Sequence, residues 1–142
     1  MATHTDQKLE LLKATPLLAE LGRRELEEVS RLADEVDVNA GRVLMREGET
    51  GQEFFVIIDG QVGIDRGGSR VRTLGPGDFF GEVALLSEGP RTATATSDTP
   101  AHLLVLGHRE FHSLMAQFPT IQTSVLNCLA GRLRRLEPEA AH

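Results

Sequence analysis

The stretch Gly75-Pro76-Gly77-Asp78-Phe79-Phe80-Gly81-Glu82-Val83-Ala84-Leu85-Leu86-Ser87-Glu88-Gly89-Pro90-Arg91-Thr92-Ala93-Thr94-Ala95-Thr96 places a carboxylate, Glu82, nine residues ahead of a guanidinium, Arg91. Glycines at 75, 77 and 81 allow tight turns and close backbone approach. The short apolar run Val83-Ala84-Leu85-Leu86 suits one helical turn whose free N–H groups point back toward Gly81, and such a helix start attracts an anion. Arg91 offers a planar fork of donors that matches two oxygens of a phosphate and stays charged at any working pH. Glu82, once ionised, only accepts hydrogen bonds, so it suits a sugar hydroxyl and repels a phosphate. A ligand carrying a phosphate beside a free sugar hydroxyl satisfies both. Pro90 fixes the backbone before Arg91, and the alternation of Thr92, Thr94 and Thr96 with Ala93 and Ala95 predicts a strand starting at the arginine, which is thereby aimed into the turn from Gly81 to Leu86.

Outward from this stretch the periodicity divides the chain into three. Residues 7–33 space Leu9, Leu12, Leu17, Leu18, Leu21, Leu26, Val29 and Leu32 at helical intervals broken by Pro16 and Gly22, which predicts two or three short helices. From Val36 to Leu106 short β-type segments alternate with glycine turns, among them Phe54–Ile58, Gln61–Asp65, Val71–Leu74 and Ala101–Leu106, with a hairpin turn at Arg66-Gly67-Gly68-Ser69. Helical spacing returns over Arg109–Phe118, and Pro119 then opens a second helix reaching about Leu136. The expected fold class is α+β, mainly β. About eight short strands form a jelly-roll-like antiparallel β-roll over residues 36–106, flanked by the N-terminal helices and two C-terminal helices over 108–136, all in one domain spanning 1–142.

The segment Phe80-Gly81-Glu82-Val83-Ala84-Leu85-Leu86, followed after Ser87-Glu88-Gly89 by Pro90-Arg91-Thr92-Ala93-Thr94, resembles the phosphate-binding cassette of cyclic nucleotide-binding domains. That family is shared by catabolite-activator-type regulators, regulatory subunits of cyclic-nucleotide-dependent kinases and cyclic-nucleotide-gated channels. Upstream, Ala40-Gly41-Arg42-Val43-Leu44, Glu47-Gly48-Glu49 and the run from Glu53 to Val62 look like the family's first strands and turns, so the likeness covers nearly the whole chain. The resemblance implies that Glu82 holds a ribose 2′-hydroxyl and Arg91 a cyclic phosphate. It also implies that the backbone of Gly81, Ala84 and Thr92 completes the contacts, with Phe80, Val83, Pro90 and Val71 around the ligand. The ligand it implies is cAMP ahead of cGMP, because a threonine after the cassette arginine, here Thr92, tolerates guanine while also occurring in cAMP binders. No cofactor is implied. A residue of the last helix covers the base in this family, and Leu133, Arg134 and Leu136 are the candidates.

Composition bounds the alternatives. At 142 residues one core buries about two-thirds of the unfolded surface, so neither metal nor disulfide is needed. The single cysteine, Cys128, falls in an apolar helical stripe and is expected to pack, and it excludes an iron–sulfur sensor. His108 and His112 stand four apart on a helix, but Arg109 occupies the place where a zinc protease needs glutamate, so solvated helix histidines are expected and no metal. No paired carboxylates, Cys–His pair or nucleophile elbow emerges, and an enzyme is not expected. The net charge of −6 opposes direct DNA binding. Lacking a signal core or a long apolar run, the chain is expected to be cytoplasmic, with no membrane partner. Relatives that bind DNA follow the last helix with a helix-turn-helix, whereas here only Glu137 to His142 remain, so a stand-alone or excised sensor is expected. Leu126, Leu129, Leu133 and Leu136 form a heptad-like seam that either packs on the roll or pairs with a second copy; an effector protein is expected but not named. The resemblance also implies a ligand-driven shift of the C-terminal helices with hinges at Gly107 and Pro119. The alternative is a ligand-free structural or dimerisation module with a degenerate pocket.

Overall fold

The computed structural model describes residues 4–15, 18–81 and 89–140, without the side chains of 4–7, 128–129 and 132–140. Two helices, α1 (His4–Ala14) and α2 (Arg23–Leu32), precede eight strands: β1 (Asp34–Val38), β2 (Val43–Met45), β3 (Glu53–Asp59), β4 (Val62–Arg66), β5 (Ser69–Leu74), β6 (Phe79–Phe80), β7 (Thr94–Ser97) and β8 (Ala101–Gly107). Helices α3 (His108–Gln117) and α4 (Pro119–Ala140) close the chain. The strands form two four-stranded antiparallel sheets, ordered β1-β8-β3-β6 and β2-β7-β4-β5. This is the expected mainly-β roll flanked by helices, with element ends within a few residues of those read from periodicity.

Strand alternation builds two cores from one strand. On β3, Phe54 and Val56 face the helices and pack with Leu104 and Leu106 of β8, Phe111 and Leu114 of α3, and Ile121 and Val125 of α4. Phe55 and Ile57 face the other way, into the roll, and meet Val62, Leu74, Phe80, Ala95 and Leu103. Successive side chains of a strand leave on opposite faces, so a single apolar run between two layers serves both. Full burial of each large apolar side chain stabilises by about 1.5–3 kcal/mol. Phe54 sits at the junction, with ring centroids 5.7 Å from Phe79 and 6.3 Å from Phe111.

Three local features stand out. The β4–β5 hairpin pairs Ile64 with Arg72 and Asp65 with Arg70, leaving Val71 as a bulge residue. In the other sheet, His102 of β8 stands across from Asp37 of β1, and its ring nitrogens lie 2.5 Å from Asp37 Oδ1 and 2.6 Å from Glu35 Oε1. Hydrogen bonding to Glu35, then to Asp37, pushes the His102 pKa above its ordinary value. Of the two helix histidines expected at a solvated surface, His112 is exposed, whereas His108 is half-buried, its ring centroid 4.2 Å from that of His112. Cys128 lies outside the described side chains.

Candidate functional site

Arg91 is 8% exposed, one of four buried polar or charged residues among those described. Its backbone is fixed first. Its N–H donates to the Glu49 carbonyl at 2.8 Å and its carbonyl accepts from the Gly48 N–H at 2.9 Å, beside a bridge pairing Thr50 with Pro90. Pro90 and Arg91 are therefore locked to the turn that leads into β3, and not to β4. For this reason the strand predicted to begin at Thr92 begins at Thr94, where pairing with Asp65 starts. Thr92 is an exposed bend residue whose carbonyl accepts from Arg66 Nε at 3.1 Å.

The guanidinium lies in a slot with a glycine on each side. Nη2 donates to the Glu53 carbonyl at 2.9 Å. A Cβ at Gly51 would stand 2.5 Å from Arg91 Nε and 2.7 Å from Nη2, and a Cβ at Gly81 would stand 3.2 Å from Nη1. Gly81 also has φ +85 and only 2.7 Å between its absent Cβ and the Glu53 carbonyl, so no other residue fits there without strain. A charged donor fork held by packing and by a main-chain carbonyl, at the rim of an apolar roll, is poised for an oxyanion. The strand before Gly81 is equally constrained. Asp78 caps its turn by accepting from the Gly75 N–H at 2.8 Å, while the Asp78 carbonyl accepts from Ile57 N at 2.9 Å.

The remaining predicted site residues distribute as follows. Phe80 is buried and stacks on Phe55 with centroids 4.7 Å apart, so it forms the inner wall of the roll. Val71 is 50% exposed on the β5 bulge. Glu82, Val83, Ala84 and the rest of 82–88 lie outside the described residues, as do the side chains of Leu133, Arg134 and Leu136. The structure thus brings together Gly81, Pro90 and Arg91. It adds Gly51, the Glu53 carbonyl and the backbone of Gly48 and Glu49, which the sequence did not single out. The spacing Gly48-Glu49-Thr50-Gly51 ahead of the Glu53 strand is the signal that could have pointed to them. Among the described residues no group of histidine, cysteine or acidic side chains could hold a metal ion.

A family model for the cyclic nucleotide-binding domain matches residues 35–118, more than half of the chain. The chain belongs to the cyclic nucleotide-binding domain family. A cyclic nucleotide-gated potassium channel of Rhizobium etli is 38% identical over 116 residues, covering 82% of this chain and 32% of the channel. A CRP-like cAMP-activated global transcriptional regulator of Mycobacterium tuberculosis is 37% identical over 105 residues, covering 70% of this chain and 47% of the regulator. In three dimensions the catabolite activator protein of Thermus thermophilus superposes with a TM-score of 0.83 at 29% identity, covering 89% of this chain and 62% of that one. The domain therefore spans less than half the length of these two curated relatives. Cyclic nucleotide-binding domains are regulatory and not catalytic units, and the slot around Arg91 lies within the matched residues. No helix among the described residues is long and apolar enough to cross a membrane.

Proposed function

We propose that this domain is a cyclic-nucleotide sensor in which Arg91 takes the cyclic phosphate and Glu82 the ribose 2′-hydroxyl, with the backbone of Gly81, Ala84 and Thr92 completing the ring. The observation that carries the proposal is the preformed Arg91 slot between Gly51 and Gly81. A guanidinium already ordered and partly desolvated gives up little further side-chain freedom on binding. We take cAMP as the first ligand and cGMP as the second; the mycobacterial relative is named as cAMP-activated, and Thr92 leaves guanine tolerated.

The output is a shift of α3 and α4 against the roll, pivoting near Gly107 and Pro119, that a partner protein reads. Leu126 on α4 is 62% exposed, which supports a homodimer formed along that helix. The negative net charge supports a sensor that does not itself contact DNA, and a cytoplasmic location is part of the same reading. Calorimetric titration with cAMP and cGMP, with Arg91→Ala alongside, tests the site. A charge-assisted contact of about 1.5–3 kcal/mol predicts a loss of roughly ten- to a hundredfold in the variant. Absence of heat and of any melting shift with either nucleotide would reduce the fold to a ligand-free scaffold. Unchanged amide exchange over residues 107–136 on saturation would remove the helix shift alone.

A further inference from the structure

The β4–β5 hairpin ends in the two-residue turn Gly67-Gly68, with φ +60 and +82. A type I′ hairpin turn requires positive φ at both central residues, and glycine supplies it without strain. The amide of the first turn residue finds its partner outside the hairpin, since Gly67 N–H donates to Glu47 Oε1 at 2.9 Å. Glu47 is itself held by its own N–H, which donates to Thr94 Oγ1 at 3.0 Å. Beside the turn, Arg66 lies one residue past the end of the β4–β7 ladder, whose last pair is Asp65 with Thr94. The Arg66 side chain takes the place of the missing rung, with Nε donating to the Thr92 carbonyl at 3.1 Å.

These bonds join three segments distant in sequence: the hairpin tip at 66–67, the turn at 47–49 and residues 91–94. What they hold between them is the backbone on either side of Thr92. The peptide plane before Thr92 carries the Arg91 carbonyl, which accepts from Gly48 N–H at 2.9 Å. The plane after it carries the Thr92 carbonyl, which accepts from Arg66. In a trans peptide the carbonyl and the following N–H point in opposite directions, so a carbonyl aimed at the 47–49 turn sends the Thr92 N–H away from that turn. No described residue accepts from this N–H. A backbone donor next in the chain to the buried Arg91 fork, with both flanking planes held, suits a second oxygen of an anion already seated on the guanidinium. Arg66 and Glu47 are themselves exposed and belong to neither core, so the backbone is what their side chains hold.

We propose that Arg66 and Glu47 are positioning residues of the anion site, which fix the peptide planes around Thr92 so that its N–H meets the phosphate beside Arg91. The proposal rests on the nucleotide reading of the Arg91 slot and adds the hairpin tip as the support of its backbone contact. Three measurements test it: calorimetry with cAMP and cGMP, thermal melting, and the protection of the Thr92 amide from hydrogen exchange on saturation, read by NMR. They are made on the wild type, on Arg66→Ala and Glu47→Ala, and on Arg66→Lys and Glu47→Gln. Lysine can still donate to the Thr92 carbonyl, and the glutamine carbonyl can still accept from Gly67 N–H. Each alanine variant loses one hydrogen bond that orders the site and should bind about three- to tenfold more weakly. Its Thr92 amide should gain less protection than in the wild type. As exposed substitutions, all four variants should melt within about 2 °C of the wild type. Arg66→Lys and Glu47→Gln should recover most of the affinity and of the protection. Unchanged affinity in both alanine variants, a fall in melting temperature that accounts for the loss, or no recovery in the conservative variants overturns positioning and leaves the Arg91 site standing. So does a wild-type complex in which the Thr92 amide gains no protection. Failure of the wild type to bind either nucleotide overturns both.

Discussion

Gly51→Ala isolates the Arg91 slot from the stability of the fold. Gly51 does not have a positive φ, so alanine fits its backbone; the nearest obstacle is the Arg91 guanidinium, with Nε at 2.5 Å, Nη2 at 2.7 Å and Cζ at 2.9 Å from the added Cβ. The side chain must retreat about 1 Å to reach ordinary van der Waals separation. That displacement pulls Nη2 off the Glu53 carbonyl, now 2.9 Å away, and moves the fork from where a phosphate would meet it. Loss of one charge-assisted bond of about 1.5–3 kcal/mol predicts a ten- to hundredfold weaker nucleotide affinity by calorimetry. Stability moves the other way or not at all. Alanine lowers the entropy of the unfolded chain by about 0.4–1 kcal/mol, which offsets the lost carbonyl contact. The melting temperature should therefore stay within about 3 °C of the wild type. Unchanged affinity, or a fall in melting temperature that accounts for the loss of binding, would refute the idea that Gly51 positions Arg91.

Gly81→Ala should damage both properties, because φ +85 strains any side chain and the new Cβ meets the Glu53 carbonyl at 2.7 Å; a thermal melt should show destabilisation of about 1–3 kcal/mol alongside the binding loss. The raised pKa of His102 stabilises the fold through its protonated form, fully below the unfolded value near 6.5 and progressively lost as pH rises through the folded value. With both carboxylates near the surface the effect is about 0.2–1 kcal/mol, and His102→Gln should flatten the fall in melting temperature expected of the wild type as pH rises above about 6.5. Phe111→Ala empties a 2% exposed site against Phe54 and should cost about 3–5 kcal/mol in urea unfolding, enough to threaten a domain of ordinary stability.

The roll was legible because alternation and glycine turns survive in sequence: the apolar run from Phe54 to Ile58 and the hairpin at Gly67-Gly68 sit where they were expected. That Arg91 lies against Gly81 was legible because Pro90 fixes the backbone just before the arginine. The glycine opposite it was not, since the need for Gly51 arises from a side chain forty residues away and leaves no local trace. Thr92 was read as strand because β-branched alternation does not reveal that Arg91 spends its backbone bonds on Gly48 and Glu49. The pairing of His102 with Glu35 and Asp37 likewise depends on β1 lying beside β8, a neighbour relation that spacing along the chain does not encode.

The Glu53 carbonyl that accepts from Arg91 belongs to the same peptide unit as the Phe54 nitrogen. That unit is a rigid plate, with a barrier of about 18–20 kcal/mol against twisting. On one edge it faces the guanidinium, and through the next side chain it rests on the Phe111 ring of α3. A tilt of that carbonyl swings the plate's other edge, so a single amide joins the Arg91 slot to the packing face of α3.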